Sequence, residues 1–337
     1  MGRIGVDIYP LQTGVGLADV ETFGKFLGGS PTNVAVAAAR LGRRSAVVTR
    51  TGADPFGDYC RRALCDFGVD ARWATPVPDH PTPVTFCEIF PPDDFPLYFY
   101  RRPVAPDLLI RAEELDLDAV RAARILWATG TGLCREPSRE ATLSALAARR
   151  DAAAPAATVL DLDWRPMFWQ EEPRRVRALY REALAHATVA VGNLDECEVA
   201  TGTRDPQACA DALLACGVDL AVVKQGPAGV LAAHRNGERT EVPPHPVEVV
   251  NGLGAGDAFG GSLCHGMLAG WDLERTVRRA NAAGALVASR LACSSAMPTA
   301  EEVDALVGEG EPALRHAADD AVGMPRHTGR NVPHREG

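Results

Sequence analysis

The stretch that decides the fold is VVNGLGAGDAFGG at residues 249–261. It contains five glycines, each of which weakens regular secondary structure, and it leads into apolar residues at helical spacing: Phe259, Leu263 and Met267. We therefore expect residues 252–256 to form a loop that ends at the N-terminus of a helix. Backbone N–H groups aimed by the glycines, together with the helix dipole, would make this loop an anion-binding site.

Asp257 closes the loop, and its carboxylate distinguishes the loop from common phosphate-binding motifs. No GxxxxGK[ST] pattern occurs in the chain, and Asp257 stands where a dinucleotide fingerprint needs its third glycine. A carboxylate beside an anion site repels a phosphate that is merely bound, but it can take a proton from a hydroxyl group that attacks the phosphate. The alternative is that Asp257 caps the helix after a glycine turn. The loop by itself leaves both interpretations open.

Composition restricts the classes of ligand and the compartment. The chain has 337 residues, 46% of them hydrophobic and 23% charged, with a formal net charge of −9. Nucleic acid and anionic membranes are therefore unfavourable partners, and no stretch reaches the roughly 18 apolar residues needed to span a bilayer. The nine cysteines include no CxxC pair, which predicts reduced thiols in a cytoplasmic protein. Because Met1 directly precedes the strand-like GRIGVDIYP, we predict no signal peptide and a short first strand.

The order of predicted elements indicates an α/β fold. RIGVDI at residues 3–8 and SAVVTR at 45–50 are typical of strands, and residues 31–42 between them predict a helix with Ser30 as its N-cap. From residue 124 onward, short β-branched runs alternate with helical segments. Those runs are ILWATG, TVLDLD, ATVAVG and DLAVVKQG. Such alternation predicts a three-layer α/β/α domain with a mostly parallel central sheet.

Residues 73–104 depart from this alternation. They are rich in proline and contain two aromatic, β-prone runs, TPVTFCEIF at 82–90 and FPLYFYR at 95–101, joined by PPDD. We predict an antiparallel hairpin there, to which residues from about 9 to 28 add strands. A small β-sheet beside a large α/β body suggests a lid over a binding site.

Three other motifs accompany the glycine loop. GGSPTNVAVAAARLG at 28–42 matches the N-terminal signature of the ribokinase-like (PfkB-type) carbohydrate kinases, and NGLGAGDAFGG matches their C-terminal signature. GNLDECEVA at 192–200 is similar to the family's N-x-x-E element, and VVKQGPAGV at 222–230 to its K-x-G-x-x-G stretch. The motifs occur in the family's order. The resemblance implies the ribokinase-like fold with a β lid, and phosphoryl transfer from ATP with Mg²⁺ to a sugar hydroxyl group.

The resemblance also implies a role for the residues in these motifs. Asp257 becomes the general base, and the amides of Gly254, Ala255 and Gly256 stabilise charge that develops during transfer. The other implied residues are Lys224, Gly226, Gly229 and Asn281 for the nucleotide, and Asn193 and Glu196 for Mg²⁺ through water. The alternative for Asn193 and Glu196 is a capping pair for the helix DECEVA, and the glycine turn without the family would be an ordinary hairpin. Most of the family have an acid at the start of the glycine loop, where this chain has Asn251. A role of this position in binding a metal or monovalent cation is therefore in doubt.

For the acceptor, the resemblance implies Asp7, Gly28, Gly29 and Asn33 as groups that bind sugar hydroxyls. Kinases for keto-deoxy sugar acids are similar to this chain at Arg101 and Arg165, and a guanidinium group binds a carboxylate through two parallel hydrogen bonds. Each arginine could instead be an ordinary surface cation. Tyr98 and Tyr100 point to the opposite face of their strand from Phe99. There are two alternatives for that face. Either it contacts the substrate, in which case Tyr100 is a candidate ligand, or it forms a contact between the lids of a homodimer.

The sequence therefore predicts a kinase domain at residues 1–310 that phosphorylates a keto-deoxy sugar acid, and a disordered polar tail at 311–337. Which acid is the acceptor stays open. A non-catalytic sugar-acid sensor on the same fold is the alternative from another class, although a sensor has no need of the intact GAGD sequence.

Overall fold

The computed structural model describes residues 1–151 and 157–308, and the predicted tail lies outside them. Within these ranges the strands are β1 (Gly5–Pro10), β2 (Phe23–Gly28), β3 (Ser45–Ala46), β4 (Thr49–Gly52), β5 (Val69–Asp70), β6 (Ala74–Val77), β7 (Val84–Cys87), β8 (Leu97–Tyr100), β9 (Ile125–Thr129), β10 (Ala157–Asp161), β11 (Val189–Asn193), β12 (Leu220–Lys224), β13 (Val230–His234) and β14 (Arg239–Val242). The helices are α1 (Ser30–Arg40), α2 (Pro55–Asp66), α3 (Leu117–Ala122), α4 (Ser138–Ala148), α5 (Pro173–Leu184), α6 (Leu194–Thr201), α7 (Pro206–Ala215), α8 (Ala255–Ala269), α9 (Leu273–Ala288) and α10 (Ala300–Val307).

The central sheet has six strands in the order β14-β13-β12-β11-β10-β9. The four runs predicted after residue 124 are β9 to β12, and they pair in parallel as expected. The antiparallel strands β13 and β14 complete one edge. Because the carboxyl ends of the parallel strands meet at one edge of the sheet, the residues that follow them are brought together.

Both faces of the central sheet are buried. Val222 packs with residues of α1, α8 and α9, whereas its neighbour Val223 packs with residues of α4, α5, α6 and α7. Consecutive side chains of one strand therefore enter two different cores, which explains why β12 is apolar from Leu220 to Val223 instead of alternating. The predicted three-layer α/β/α domain is confirmed. None of the described helices is long and apolar enough to cross a membrane.

A second sheet contains four strands in the order β2-β1-β7-β8. β7 and β8 form the predicted antiparallel hairpin, and β2 lies within the range predicted to add strands. β1 also belongs to this sheet, so the sheet extends to Gly5, before the predicted range of about 9–28. At the hairpin turn, the Phe95 ring lies against Gly252, where a Cβ atom would be 2.9 Å from it. The small sheet thus covers the glycine loop, and we call it the lid.

Two local predictions are wrong. Residues 45–50 form parts of two separate strands, β3 and β4, which pair with β5 and β6. Ser30 is the first residue of α1 and not its N-cap, because Gly29 occupies the cap with a φ of 104°. A Cβ atom at Gly29 would lie 2.5 Å from the carbonyl oxygen of Arg3, so that this close approach also requires glycine.

Candidate active site

The glycine loop leads directly into α8, as the sequence predicts. The helix begins at Ala255, and Gly254 is its N-cap with a φ of 84°. A Cβ atom at Gly254 would lie 2.7 Å from Sγ of Cys293, so both the backbone and the space require glycine. The N–H groups of Gly254 and Gly256 donate no hydrogen bond to the part of the chain that the structure describes. They are therefore available to an anion at the helix N-terminus.

Asp257 lies in the first turn of α8. Its carboxylate accepts a hydrogen bond of 2.8 Å from Oγ of Ser30 and another of 2.8 Å from Nδ2 of Asn33. The interpretation of Asp257 as a helix cap is therefore wrong. Burial raises the pKa of Asp257 above its usual range, although the hydrogen bonds from Asn33 and Ser30 act in the opposite direction. A carboxylate with a fixed orientation and a raised pKa is suited to accept a proton.

The first turn of α1 supplies both donors. Pro31 follows Ser30 at the start of the helix, where its missing N–H group costs nothing. The side-chain oxygen of Asn33 accepts a hydrogen bond of 2.6 Å from Oγ of Ser294, which fixes the amide so that its nitrogen faces Asp257. Sequence reasoning missed Ser30 as a site residue, because its position beside a helix start already had a local explanation.

β1 carries Asp7 into the same region. The carboxyl group of Asp7 lies against Gly28, where a Cβ atom would be 2.2 Å from it, and it accepts a hydrogen bond of 3.0 Å from the hydroxyl of Tyr9. Burial raises the pKa of Asp7 to about 7, and the charge of Asp257 adds to the rise. Gly28 is thus needed for the position of Asp7, and two of the predicted acceptor residues lie in contact.

Arg3 and Asp163 form a buried ion pair near these carboxylates, and sequence reasoning named neither as a site residue. Nη2 of Arg3 donates to both carboxylate oxygens of Asp163 at 3.0 and 2.9 Å, and Nε donates to Oγ1 of Thr131 at 3.2 Å. Asp163 has a φ of 33°, which is uncommon for a residue other than glycine. Because Arg3 and Asp163 are 160 residues apart, no local sequence pattern could have paired them.

Arg165 is a second arginine beside Asp163, and it connects Asp163 with Glu196. Nη2 of Arg165 is 3.3 Å from Asp163, and its Nη1 is 3.6 Å from Oε1 of Glu196. Oε2 of Glu196 accepts from the backbone N–H of Asn193, while the Asn193 side chain accepts from the N–H of Glu196. This reciprocal capping box is the alternative that the sequence left open for the pair. It still leaves Oε1 of Glu196 directed toward Arg165.

Lys224 reaches the glycine loop from the end of β12. A Cβ atom at Gly256 would lie 3.2 Å from Nζ of Lys224, which places the ammonium group beside the unpaired N–H groups. Burial acts to lower the pKa of Lys224, but the carboxylates of Asp161, Glu196 and Asp257 outweigh it and raise the pKa. Lys224 therefore stays charged at the place where an anion would bind.

The remaining residues predicted for the nucleotide lie in a turn and on a helix. Gly226 and Gly229 have positive φ angles of 55° and 92° and connect the antiparallel strands β12 and β13. A Cβ atom at Gly229 would lie 2.1 Å from the carbonyl oxygen of Val242, so this position requires glycine. Asn281 of α9 donates a hydrogen bond of 2.7 Å to the carbonyl oxygen of Pro243. It thereby holds the segment that precedes the glycine loop.

Arg101 and Tyr100 are neighbours in sequence but face different ways. Nη2 of Arg101 donates to both oxygens of the buried Asp107, at 2.9 and 2.7 Å, and its guanidinium carbon lies 4.9 Å from the ring centre of Phe168. Phe99 is aligned with Thr85 and Asp7 across the lid, so these three side chains share the face toward Asp257. Tyr100 points to the opposite face, and the structure does not bring it to the cluster.

No group of three or more His, Cys, Asp or Glu side chains among residues 1–151 and 157–308 is arranged to hold a metal ion directly. The carboxylates of Asp161 and Glu196 are nevertheless both buried beside Lys224. Burial raises the pKa of Asp161 to about 8, and the negative charges of Glu196, Asp163 and Asp257 add to the rise, although Lys224 opposes it. An added cation would offset this concentration of carboxylates.

Asn251 begins the glycine loop and is fully buried. Its Nδ2 donates a hydrogen bond of 2.7 Å to the carbonyl oxygen of Leu291, and its Oδ1 accepts one of 3.0 Å from the N–H of Leu253. An aspartate could make only the second bond and would place a carboxylate beside the Leu291 carbonyl. The amide therefore has a structural role that an ionised carboxylate at this position cannot reproduce.

We expect Asn251→Asp to lower the free energy of unfolding by about 1–3 kcal/mol, because it leaves a buried carbonyl group without its donor. Urea denaturation of the two proteins measures the difference. The matched control is Asn236→Asp in an exposed turn, where the side-chain oxygen only accepts a hydrogen bond, from the N–H of Glu238. An equal change in both variants would mean that the Leu291 contact contributes nothing.

Comparison with known proteins adds a family to this geometry. A family model described as pfkB family carbohydrate kinase matches residues 1–300. The 5-dehydro-2-deoxygluconokinase of Photobacterium profundum is 33% identical over 308 residues, which cover 89% of this chain and 91% of that protein. The protein of the same description from Shouchella clausii is 31% identical over 313 residues, which cover 92% of this chain and 94% of that protein.

Solved structures agree on the fold. A putative ribokinase II from E. coli has a TM-score of 0.82 and 24% identity, and the match covers 91% of this chain and 97% of that one. The fructokinase from Vibrio cholerae, solved with fructose, ADP and a calcium ion, has a TM-score of 0.78 and 27% identity, with coverages of 92% and 97%. The predicted ribokinase-like fold is thereby confirmed.

Proposed function

The chain belongs to the pfkB family of carbohydrate kinases, and on that premise we propose that it transfers the γ-phosphoryl group of ATP to the C6 hydroxyl of 5-dehydro-2-deoxy-D-gluconate. The observation that carries the proposal is the environment of Asp257. Its carboxylate is fixed by Ser30 and Asn33 at the N-terminus of α8, beside the unpaired N–H groups of the glycine loop. A proton acceptor and an anion site in contact are what phosphoryl transfer to a hydroxyl group requires.

In this proposal Asp257 takes the proton of the C6 hydroxyl group as that oxygen attacks the γ-phosphorus. The unpaired N–H groups of Gly254 and Gly256 and the ammonium group of Lys224 stabilise the negative charge on the transferred phosphoryl group. The N–H of Ala255 joins them by exchanging its long bond of 3.5 Å to the carbonyl oxygen of Gly252 for the phosphoryl group. Asp7, Gly28, Gly29 and Asn33 line the acceptor side and bind hydroxyl groups of the sugar. The lid excludes water once the acceptor is bound, because the Phe95 ring already rests on Gly252.

The nucleotide and the metal ion are assigned to the other side of the glycine loop. Lys224 ends β12, Gly226 and Gly229 form the turn after it, and Asn281 bonds Pro243 in the segment that precedes the glycine loop. Mg²⁺ neutralises phosphate charge in such reactions. Glu196 is suited to hold Mg²⁺ through a water molecule, since its Oε1 accepts no hydrogen bond from the described residues. Asn193 assists by fixing the Glu196 side chain through the capping box.

The acceptor is proposed to be a sugar acid because arginines line its side of the site. Arg101 is nearly buried, and one edge of its guanidinium group is free of hydrogen bonds to the described residues. Both terminal nitrogens of Arg165 lie beside Asp163 and Glu196. Arg165 could therefore neutralise charge near the phosphoryl group or bind the substrate carboxylate, and its position fits both roles. The two relatives with 33% and 31% identity, whose names specify 5-dehydro-2-deoxygluconate, favour that acid.

Steady-state kinetics with two acids tests the substrate. We expect kcat/KM for 5-dehydro-2-deoxy-D-gluconate to exceed that for 2-keto-3-deoxygluconate by about tenfold or more, since the two acids place the keto group and the missing hydroxyl differently. ATP consumption coupled to a colorimetric readout gives both values on one enzyme preparation. A higher kcat/KM for 2-keto-3-deoxygluconate would replace the proposed acceptor with that acid.

We also propose that two copies associate through the lid. The outer aromatic patch, defined as Phe23, Phe86, Tyr98 and Tyr100, covers the face of the lid opposite Asp7. Tyr100 is 66% exposed, and the Phe86 ring packs edge-on against Phe23 and Tyr100. Exposed aromatic clusters of this kind are typical of protein interfaces.

Tyr100→Glu should therefore convert a dimer into a monomer, because it places a charge in the outer aromatic patch that the proposed interface would bury. Size-exclusion chromatography with light scattering measures the mass. Met167→Glu is the control, since Met167 is also exposed but lies outside the outer aromatic patch. A wild-type protein that is monomeric at micromolar concentration would rule out this interface.

A further inference from the structure

The ring of Phe168 is contacted by two arginines from distant parts of the chain. The guanidinium carbon of Arg3 lies 5.8 Å from the ring centre and that of Arg101 lies 4.9 Å from it. The Phe99 ring packs edge-on against the same ring, with the centres 4.9 Å apart. The side chains of Arg3 and Arg101 are only 8% and 10% exposed. Two buried cations therefore converge on one aromatic ring at the acceptor side of the lid.

Each of these arginines is held by a buried carboxylate through one nitrogen only. Nη2 of Arg3 bonds Asp163, and Nη2 of Arg101 bonds Asp107. Nη1 of Arg3 and both Nε and Nη1 of Arg101 donate no hydrogen bond to the described residues. None of these nitrogens belongs to the fully buried polar atoms without a partner, so each keeps some solvent exposure, and a guanidinium group has its donors in a rigid planar fork. The leftover donors thus favour an anionic ligand with planar oxygens.

The charge of Arg3 acts directly on the acceptor side of the site. It lowers the pKa of Asp7 and of Asp257, against the larger effect of burial, so it lies within electrostatic range of both. An acidic substrate bound between these two carboxylates would be repelled unless a cation stood beside them. Arg165 is a weaker candidate for that cation, because its terminal nitrogens face Asp163 and Glu196 and its side chain is 29% exposed.

We propose that Arg3 and Arg101, both on the ring of Phe168, bind the C1 carboxylate of the sugar acid and set the preference of the enzyme for acids over neutral sugars. This inference rests on the proposed function. In this inference Arg3 binds the substrate carboxylate, the role that the sequence analysis assigned to Arg165. Arg165 instead stays paired with Asp163 and Glu196. Arg3 is then a substrate-binding residue that no sequence motif pointed to.

The test compares the acid with its C1 carboxamide, which has the same shape and no charge. For the wild-type enzyme and each variant, the measured quantity is kcat/KM for the acid divided by kcat/KM for the amide. We expect Arg3→Gln and Arg101→Gln each to lower this ratio by roughly 10- to 100-fold, the range for loss of a hydrogen bond between charged groups. Arg165→Gln should lower both kcat/KM values alike and so preserve the ratio.

Arg3→Gln is expected to fold, because Asp163 keeps Thr131 and Arg165 as partners. Should its circular dichroism or thermal melt differ from wild type, Arg3→Lys keeps the charge but loses the planar fork, and its ratio should fall between those of wild type and Arg101→Gln. A ratio that stays at the wild-type value in Arg3→Gln, or that falls only in Arg165→Gln, overturns the assignment. A wild-type enzyme that phosphorylates neither the acid nor the amide would instead overturn the proposed function.

Discussion

Asp257→Asn should lower kcat by about two to four orders of magnitude, the usual contribution of a positioned general base. Asparagine has nearly the same shape, and its side-chain oxygen can still accept the hydrogen bond from either Ser30 or Asn33, although its NH2 group cannot accept the other one. It cannot accept the proton of the attacking hydroxyl group. We therefore expect the dissociation constants for ATP and for the acceptor to change only a few-fold, as measured by calorimetry, while single-turnover rates fall.

The control for this prediction is Asp219→Asn, the same chemical change at an exposed carboxylate that pairs with Arg235. Its kcat should match wild type. Activity of Asp257→Asn within tenfold of wild type would exclude Asp257 as the base. A wild-type chain that binds the sugar acid but shows no turnover at all would favour the non-catalytic sensor.

The pH profile gives a second readout of the same residue. The base must be ionised to work, so kcat/KM should fall as the pH drops through the pKa of Asp257. The ordinary pKa of an aspartate is near 4. Because burial raises the pKa of Asp257, the acidic limb of the profile should lie above that value. Ser30→Ala removes a hydrogen bond that lowers the pKa, and it should move this limb to higher pH. A limb that does not move in Ser30→Ala would assign the titration to another group.

The sequence predicts the fold well, because the signals for it are local. The central LAVV of the run DLAVVKQG is apolar without alternation, and both faces of β12 are indeed buried. The hairpin of β7 and β8 follows from two aromatic runs separated by a proline turn. The glycine loop before α8 is equally local, since the N-cap of α8 has a positive φ that favours Gly254 and apolar residues at helical spacing follow it.

The site is predicted less completely, because its geometry depends on contacts between distant segments. Strand alternation places Tyr100 and Phe99 on opposite faces, but only the sheet pairing shows which face is directed toward Asp257. Ser30 reads as a helix cap until the structure shows it bonded to a residue 227 positions away. Asn193 and Glu196 show the converse, since a local capping box accounts for Asn193 and for one carboxylate oxygen of Glu196 in a motif that the family resemblance assigns to the metal.

The largest effect on stability is expected at Asp163, a position that the sequence does not mark. Asp163→Ala leaves the buried guanidinium group of Arg3 with Thr131 as its only hydrogen-bond partner among the described residues. Removing one member of a buried ion pair typically costs about 3–5 kcal/mol, whereas an exposed pair contributes about 0–1 kcal/mol. Urea denaturation of Asp163→Ala should show the larger loss, and Asp219→Ala, which breaks the exposed pair with Arg235, the smaller one.

Two further variants separate the charge of Asp163 from its backbone conformation. Asparagine tolerates a positive φ better than alanine does, so Asp163→Asn should recover part of the loss if the φ of 33° contributes to it. Arg3→Met combined with Asp163→Ala removes both charges, and its cost should be smaller than the sum of the two single changes. Strict additivity would mean that Arg3 and Asp163 do not stabilise each other. In that case the donors of Arg3 would be held in place by Thr131 and the surrounding packing alone.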